Sequence, residues 1–134
     1  MMSTDESLCL ELDADPESIG VARRAVAELA ERLGMTEPAL GDVKTVVSEA
    51  CTNVVRHAYP SGVGRYEVEA HRAAGELAII VRDFGVGVQG RIAAKETSLR
   101  LGLGIISELV RNLEISGSGE GTEIRMRLPL PMTS

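Results

Sequence analysis

The stretch "ELAIIVRDFGVG", residues 76–87, decides the fold. Its near-continuous apolar run reads as a central strand, and Asp83 closes that strand just ahead of Gly85 and Gly87. A carboxylate at the end of a buried strand needs a compensating partner. With Gly90 the glycines spell a literal G-x-G-x-x-G, but a dinucleotide site also needs a helix opening on them and an acidic residue about 20 positions on. The following "RIAAKETSLR" has little apolar periodicity, and Glu108, near that offset, falls in a helical pattern. The match is accidental, and Asp83 still wants a reason.

Upstream, "RYEVEAHR" alternates as a half-exposed strand and forms a hairpin with residues 76–83 through a turn at Gly75. Leu8, Leu10 and Leu12 alternate as a first strand. Asp15 caps a helix with Pro16 at its first position, and Ala22, Val26, Leu29 and Leu33 form the apolar stripe up to Gly34. Thr36 is the expected cap of a second helix, in which Val43, Val46, Val47, Ala50, Val54, Val55 and Ala58 repeat at threes and fours until Pro60.

Downstream, residues from Gly85 to about Arg100 read as a mobile loop, followed by a short helix from Gly102 built on Ile105, Ile106, Leu109 and Val110. The chain closes with "LEIS", a turn "GSGEG", and "TEIRMRLPL", where Ile124, Met126 and Leu128 share one face. The order β-α-α-β-β-loop-α-β-β specifies an α+β fold. It is expected as a two-layer sandwich with a mixed, mostly antiparallel sheet and helices on one face, a single domain over residues 1–134.

At 134 residues the chain suits one domain with a real core. A net charge of -6 and a pI near 5.0 argue against direct nucleic-acid binding, and a chain with no Trp and one Phe offers no stacking platform. The N-terminal "MMSTDESLCLELDADPES" has neither the basic nor the apolar part of a leader, and no run of apolar residues is long enough to span a membrane. A cytoplasmic protein without a membrane partner is expected. Cys9 and Cys51 lack metal-site or CxxC spacing and read as buried, reduced thiols.

The second helix carries "SEACTNVVRHAY", residues 48–59, with Glu49, Asn53 and His57 at intervals of four. Such residues stack along one line of a helix. Glu49 and Asn53 either meet one ligand together or form a solvated helix edge, and His57 reads more readily as a packed histidine than as a catalyst. Asn is mildly unfavourable inside a helix, whereas its carboxamide oxygen is a hard ligand suited to Mg²⁺.

Taken together, Glu49 with Asn53, Asp83-x-Gly85-x-Gly87, Gly102-Leu103-Gly104 and Gly121-Thr122 resemble the ordered boxes of the GHKL ATPase family, which includes DNA gyrase and the histidine kinases. "VVSEACTNVVRHAY" and "ARRAVAEL" are most similar to bacterial anti-sigma factor serine/threonine kinases of the RsbW and SpoIIAB type, over about Leu8 to Leu130. The resemblance implies ATP and Mg²⁺ as cofactors. It implies that Asp83 accepts a hydrogen bond from the adenine amine, that Thr122 supports the adenine site, and that Gly85 and Gly87 let the backbone pass close to the base. By the same resemblance Asn53 holds Mg²⁺, Arg100 neutralises phosphate charge, and the amides at a helix start on Gly102 and Gly104 receive phosphate oxygens.

For catalysis the resemblance implies Glu49 as the general base toward a Ser or Thr hydroxyl, or else as the activator of a water in a slow ATPase. The implied partners are a sigma factor and a STAS-type anti-anti-sigma protein, with Arg23 as a contact residue for both and a homodimer as the assembly. Arg23 reads equally well as an exposed helix arginine beside Arg24. The loop between Gly87 and Gly102 is shorter than the family's lid, with "KETS" at residues 95–98 in place of its Thr-Lys-like element, and Asn112 stands where relatives carry Asp. The alternatives are a non-catalytic, nucleotide-responsive module that captures a partner stoichiometrically, and a detached histidine-kinase-like ATPase domain.

Overall fold

The computed structural model describes residues 6–60, 62–85, 97–118 and 121–132. Among the described residues five strands, β1 (Ser7–Asp13), β2 (Arg65–Ala73), β3 (Glu76–Asp83), β4 (Asn112–Ser118) and β5 (Gly121–Pro129), accompany three α-helices. These are α1 (Pro16–Arg32), α2 (Ala39–Asn53) and α3 (Thr97–Leu109), and a π-helical turn, Val54–Ala58, continues α2. The strands form one sheet in the order β1-β2-β3-β5-β4, and every described pairing is antiparallel.

Alternation sorts the sheet into two faces. Tyr66, Asp83 and Thr122 stand side by side across β2, β3 and β5, followed by Val68, Val81 and Ile124, and then Ala70, Ile79 and Met126. All of these are buried, and the apolar ones share one core with Val26, Leu29, Val43, Val47 and other residues of α1 and α2, which form a helical layer on that side. On the opposite face Arg82 reaches Glu67, Glu69 and Glu123, each at 2.8 Å. The β2–β3 hairpin closes through Ala74 and Gly75, both left-handed at φ 52° and 77°, the backbone of a type I′ turn.

Asp15 caps α1 as expected, its Oδ1 accepting from the Ser18 amide at 3.0 Å. Three expectations need correction. Thr36 does not cap α2: the residue before a proline is pushed out of helical geometry, so the helix starts only after Pro38, at Ala39, and Glu37 Oε1 accepts the Gly41 amide of its first turn at 3.0 Å. Cys9 is exposed rather than buried, because the alternation that turns Leu8 and Leu10 inward turns the residue between them outward. The last helix starts at Thr97 rather than Gly102; the spacing of Leu99, Leu103 and Ile106 continues the helical pattern through both glycines. The loop expected before it lies mostly outside the described residues. Among the described residues no helix is long and apolar enough to cross a membrane.

Candidate functional site

The end of β3 is packed from three sides. Asp83 is only 3% exposed, and its Oδ1 accepts the Gly85 amide at 3.1 Å. Gly121, at φ 155°, brings β5 in so closely that a methyl group there would stand 2.3 Å from the Asp83 carbonyl oxygen. A methyl on Gly85 would stand 1.9 Å from the carbonyl oxygen of Ala58, so the π-helical turn abuts the strand end and only glycine fits. Phe84 donates its amide to the Tyr59 hydroxyl at 3.0 Å. A shallow surface depression of about 360 Å³ runs over this strand end, bordered by Asp83, Phe84, Gly121 and Thr122 and, on the outer face, by Arg82 and Glu123.

Thr122 faces Asp83 directly across the β3–β5 ladder and is equally buried. Its Oγ1 has no hydrogen-bond partner, and the same is true of Asn53 Nδ2 on α2. Such unpaired buried groups cost about 1–3 kcal/mol each and are rare in folded chains unless something else completes them. Among the described residues these are the two such side-chain atoms, and both belong to residues singled out in the sequence.

Glu49, half-buried, lies one helical turn before Asn53. Gly102 of α3 covers both: a methyl group on it would lie 3.3 Å from Asn53 Oδ1 and 3.8 Å from Glu49 Oε1. A carboxylate and a carboxamide oxygen therefore border one point, a donor pair suited to a hard cation. Glu49 and Asn53 lie on α2 and His57 within the π-helical turn of residues 54–58 that continues it. His57 is half-buried and makes an interaction of its own. Arg23 is half-buried and donates from Nη1 to Ser48 Oγ at 3.3 Å, which ties α1 to the residue preceding Glu49.

Gly104 is exposed with open space around it, and both glycines sit inside α3, so their amides are not on its first turn as the sequence led us to expect. Arg100 lies within α3, while its side chain, like Gly87 as a whole, is outside the described residues. Two contacts escaped the sequence reading. Tyr59 ended the motif "VVRHAY" without a role, and its signal was Gly64, where any side chain would strike the Tyr59 ring. Gly121 stood in the sequence only as the companion of Thr122 in its box, and its close approach to Asp83 has no signal there. A larger cleft, about 620 Å³, lies between α1 and α2 around Arg24, Glu28, Met35 and Lys44 and contains none of these residues.

A family model described as the histidine kinase-like ATPase domain matches residues 12–128. The chain belongs to that family. Within it the ATPase domain is similar to the serine-protein kinase RsbW of Bacillus thuringiensis, 35% identical over 64% of this chain and 54% of that protein. It is 41% identical to the RsbW of Halalkalibacterium halodurans over 60% of this chain and 49% of that protein. The chain thus spans about half the length of these relatives. Among solved structures it resembles one of the RsbU and RsbW domains of a Mycobacterium tuberculosis protein, with a TM-score of 0.75 at 24% identity, covering 96% of this chain and 33% of that one. The histidine kinase domain of a blue-light-activated kinase from Erythrobacter litoralis gives a TM-score of 0.60 at 21% identity, covering 85% of this chain and 60% of that one. Both likenesses show the shared fold.

Proposed function

We propose that the ATPase domain binds ATP with Mg²⁺ and acts as an anti-sigma factor with serine/threonine protein kinase activity. The observation that carries the reading is the pair of partnerless buried atoms, Thr122 Oγ1 beside Asp83 and Asn53 Nδ2 beside Glu49. The residues fit such a ligand. Asp83 offers a fixed carboxylate acceptor for an exocyclic amine, which selects adenine over guanine, and Thr122 adds a hydroxyl at the same edge. The Asn53 carboxamide offers an oxygen to a cation and an N–H to a phosphate oxygen. When bound, Mg·ATP supplies the transferable phosphoryl group and offsets its charge. Glu49 is the base that takes the proton from a Ser or Thr hydroxyl of a STAS-type anti-anti-sigma partner. Gly85 and Gly87 give the backbone its close passage by the base, Arg100, Gly102 and Gly104 serve the phosphate end, and Arg23 contacts the sigma factor and the STAS partner. A homodimer belongs to the same reading.

The position of Gly102 and Gly104 inside α3 favours one further reading, a nucleotide-responsive module that captures its partner without transfer. Calorimetric titration with ATP and GTP, with and without Mg²⁺, tests the site: ATP-selective binding lost in Asp83→Asn supports it, and equal indifference to both nucleotides sinks it. Incubation of a STAS partner with labelled ATP separates the two readings. Transfer abolished in Glu49→Gln with binding retained supports the kinase; binding without transfer leaves the capture module.

A further inference from the structure

We infer that Tyr59 is a positioning residue that fixes the peptide following Asp83 and, together with the Gly85 amide on Asp83 Oδ1, sets the direction of that carboxylate. Its hydroxyl accepts the Phe84 amide at 3.0 Å and donates to the carbonyl of Arg65. One phenol thereby joins the first peptide after Asp83 to the start of β2, where Arg65 follows the loop that ends α2. The side chain is held from behind as well. Gly64 is packed against the ring, with the site of a would-be methyl 2.4 Å from it, so ring position and hydroxyl position are coupled. Gly85 rests on the carbonyl of Ala58, the residue just before Tyr59.

A carboxylate discriminates between bases only if it cannot follow the wrong one. Asp83 has its own backbone blocked by Gly121 on one side, but the peptide that follows is free to tilt unless its N–H is tied. The Phe84 N–H is tied by the Tyr59 hydroxyl, beside the Gly85 amide that bonds Asp83 Oδ1 directly. Tyr59 therefore acts through Asp83 on selectivity without touching the base. This inference rests on the nucleotide reading above, whereas the tie itself exists without any nucleotide.

The test uses Tyr59→Phe, which keeps the ring against Gly64 and removes only the hydroxyl. Amide hydrogen exchange of the nucleotide-free protein is measured first. Exchange at Phe84 is expected to quicken about tenfold, the worth of one hydrogen bond, while Ile79 and Val81 in the core of β3 stay protected. Titration follows, with ATP affinity expected to fall about fivefold to tenfold and the preference for ATP over GTP to shrink with it. Gly64→Ala, whose methyl displaces the ring, should reproduce both effects. Unchanged Phe84 exchange in Tyr59→Phe overturns the positioning role whatever the nucleotide does. Faster exchange with undiminished ATP preference overturns the selectivity role alone. A wild-type protein that takes up neither nucleotide overturns the nucleotide reading, and the selectivity role with it.

Discussion

Asp83 and Thr122 face each other across the β3–β5 ladder, each 3% exposed, and the threonine hydroxyl is left without a partner there. An unpaired buried hydroxyl lowers stability by about 1–3 kcal/mol relative to an apolar isostere. Thr122→Val should therefore leave the melting temperature unchanged or raise it by a few degrees while ATP affinity falls about tenfold. Scanning calorimetry beside nucleotide titration checks both. Loss of stability without loss of affinity would make Thr122 an ordinary core residue.

The two glycines of α3 should part company. Alanine in a helix interior is favoured over glycine by roughly 0.5–1 kcal/mol. At Gly104, with nothing within 4 Å of the new methyl, that full gain is expected. At Gly102 the methyl lands 3.3 Å from Asn53 Oδ1, so the gain should vanish and Mg²⁺-assisted nucleotide binding should weaken about tenfold or more. Urea denaturation of both variants, with titrations of the second, measures the difference.

Stability should decline in alkali. Burial, opposed by a hydrogen bond from Tyr66, pushes the Cys51 thiol from 9.0 up to about 12, and burial likewise raises the Tyr66 hydroxyl. Both groups keep protons in the folded protein that the unfolded chain gives up. Their contribution is complete below about pH 9 and is lost as the pH climbs toward about 12. Cys51→Ala, though less stable at neutral pH because of the space it leaves, should show a shallower decline. Denaturation midpoints at several pH values between neutrality and strong alkali provide the comparison, and parallel curves would count against the argument.

On the outer face, Arg82→Met would strand Glu67, Glu69 and Glu123 beside one another. A loss of about 1–3 kcal/mol is expected at neutral pH. Hydrogen bonds from Arg125 and then Arg82 hold the Glu123 carboxyl below its ordinary 4.5, so this stabilisation is present above that value and fades as pH falls. The wild-type and variant curves should converge in acid. A gap that persists there would point to lost packing of the arginine stem instead.

The sheet could be read from sequence because its strands obey a period of two over long runs, as in Ile124, Met126 and Leu128. The candidate site stood out for a different reason: Asp83 and Asn53 are polar residues in places where polar residues are costly, and costly placements stand out. What escaped depends on approach between distant segments. Gly85 against Ala58, Gly121 against Asp83 and Tyr59 against Phe84 are tertiary contacts with no local signature. The start of α3 was misplaced because two glycines read as a break, although the packing of Leu103 and Ile106 against the core sustains the helix through them. Cys9 was misread by its residue type, against the alternation of its own strand.

Arg82 and Asp83, neighbours on β3, point to opposite faces, the first among three carboxylates and the second into the apolar layer beside Thr122. Slipping that strand by one residue would thrust a guanidinium into the core and a fourth carboxylate among the other three. Misregistered pairing is thus penalised by charge as well as by exposed hydrocarbon, a second safeguard on strand alignment. It follows that a single-residue insertion or deletion within β2, β3 or β5 should be tolerated far less well than one in the loops, because no neighbouring register is electrostatically acceptable.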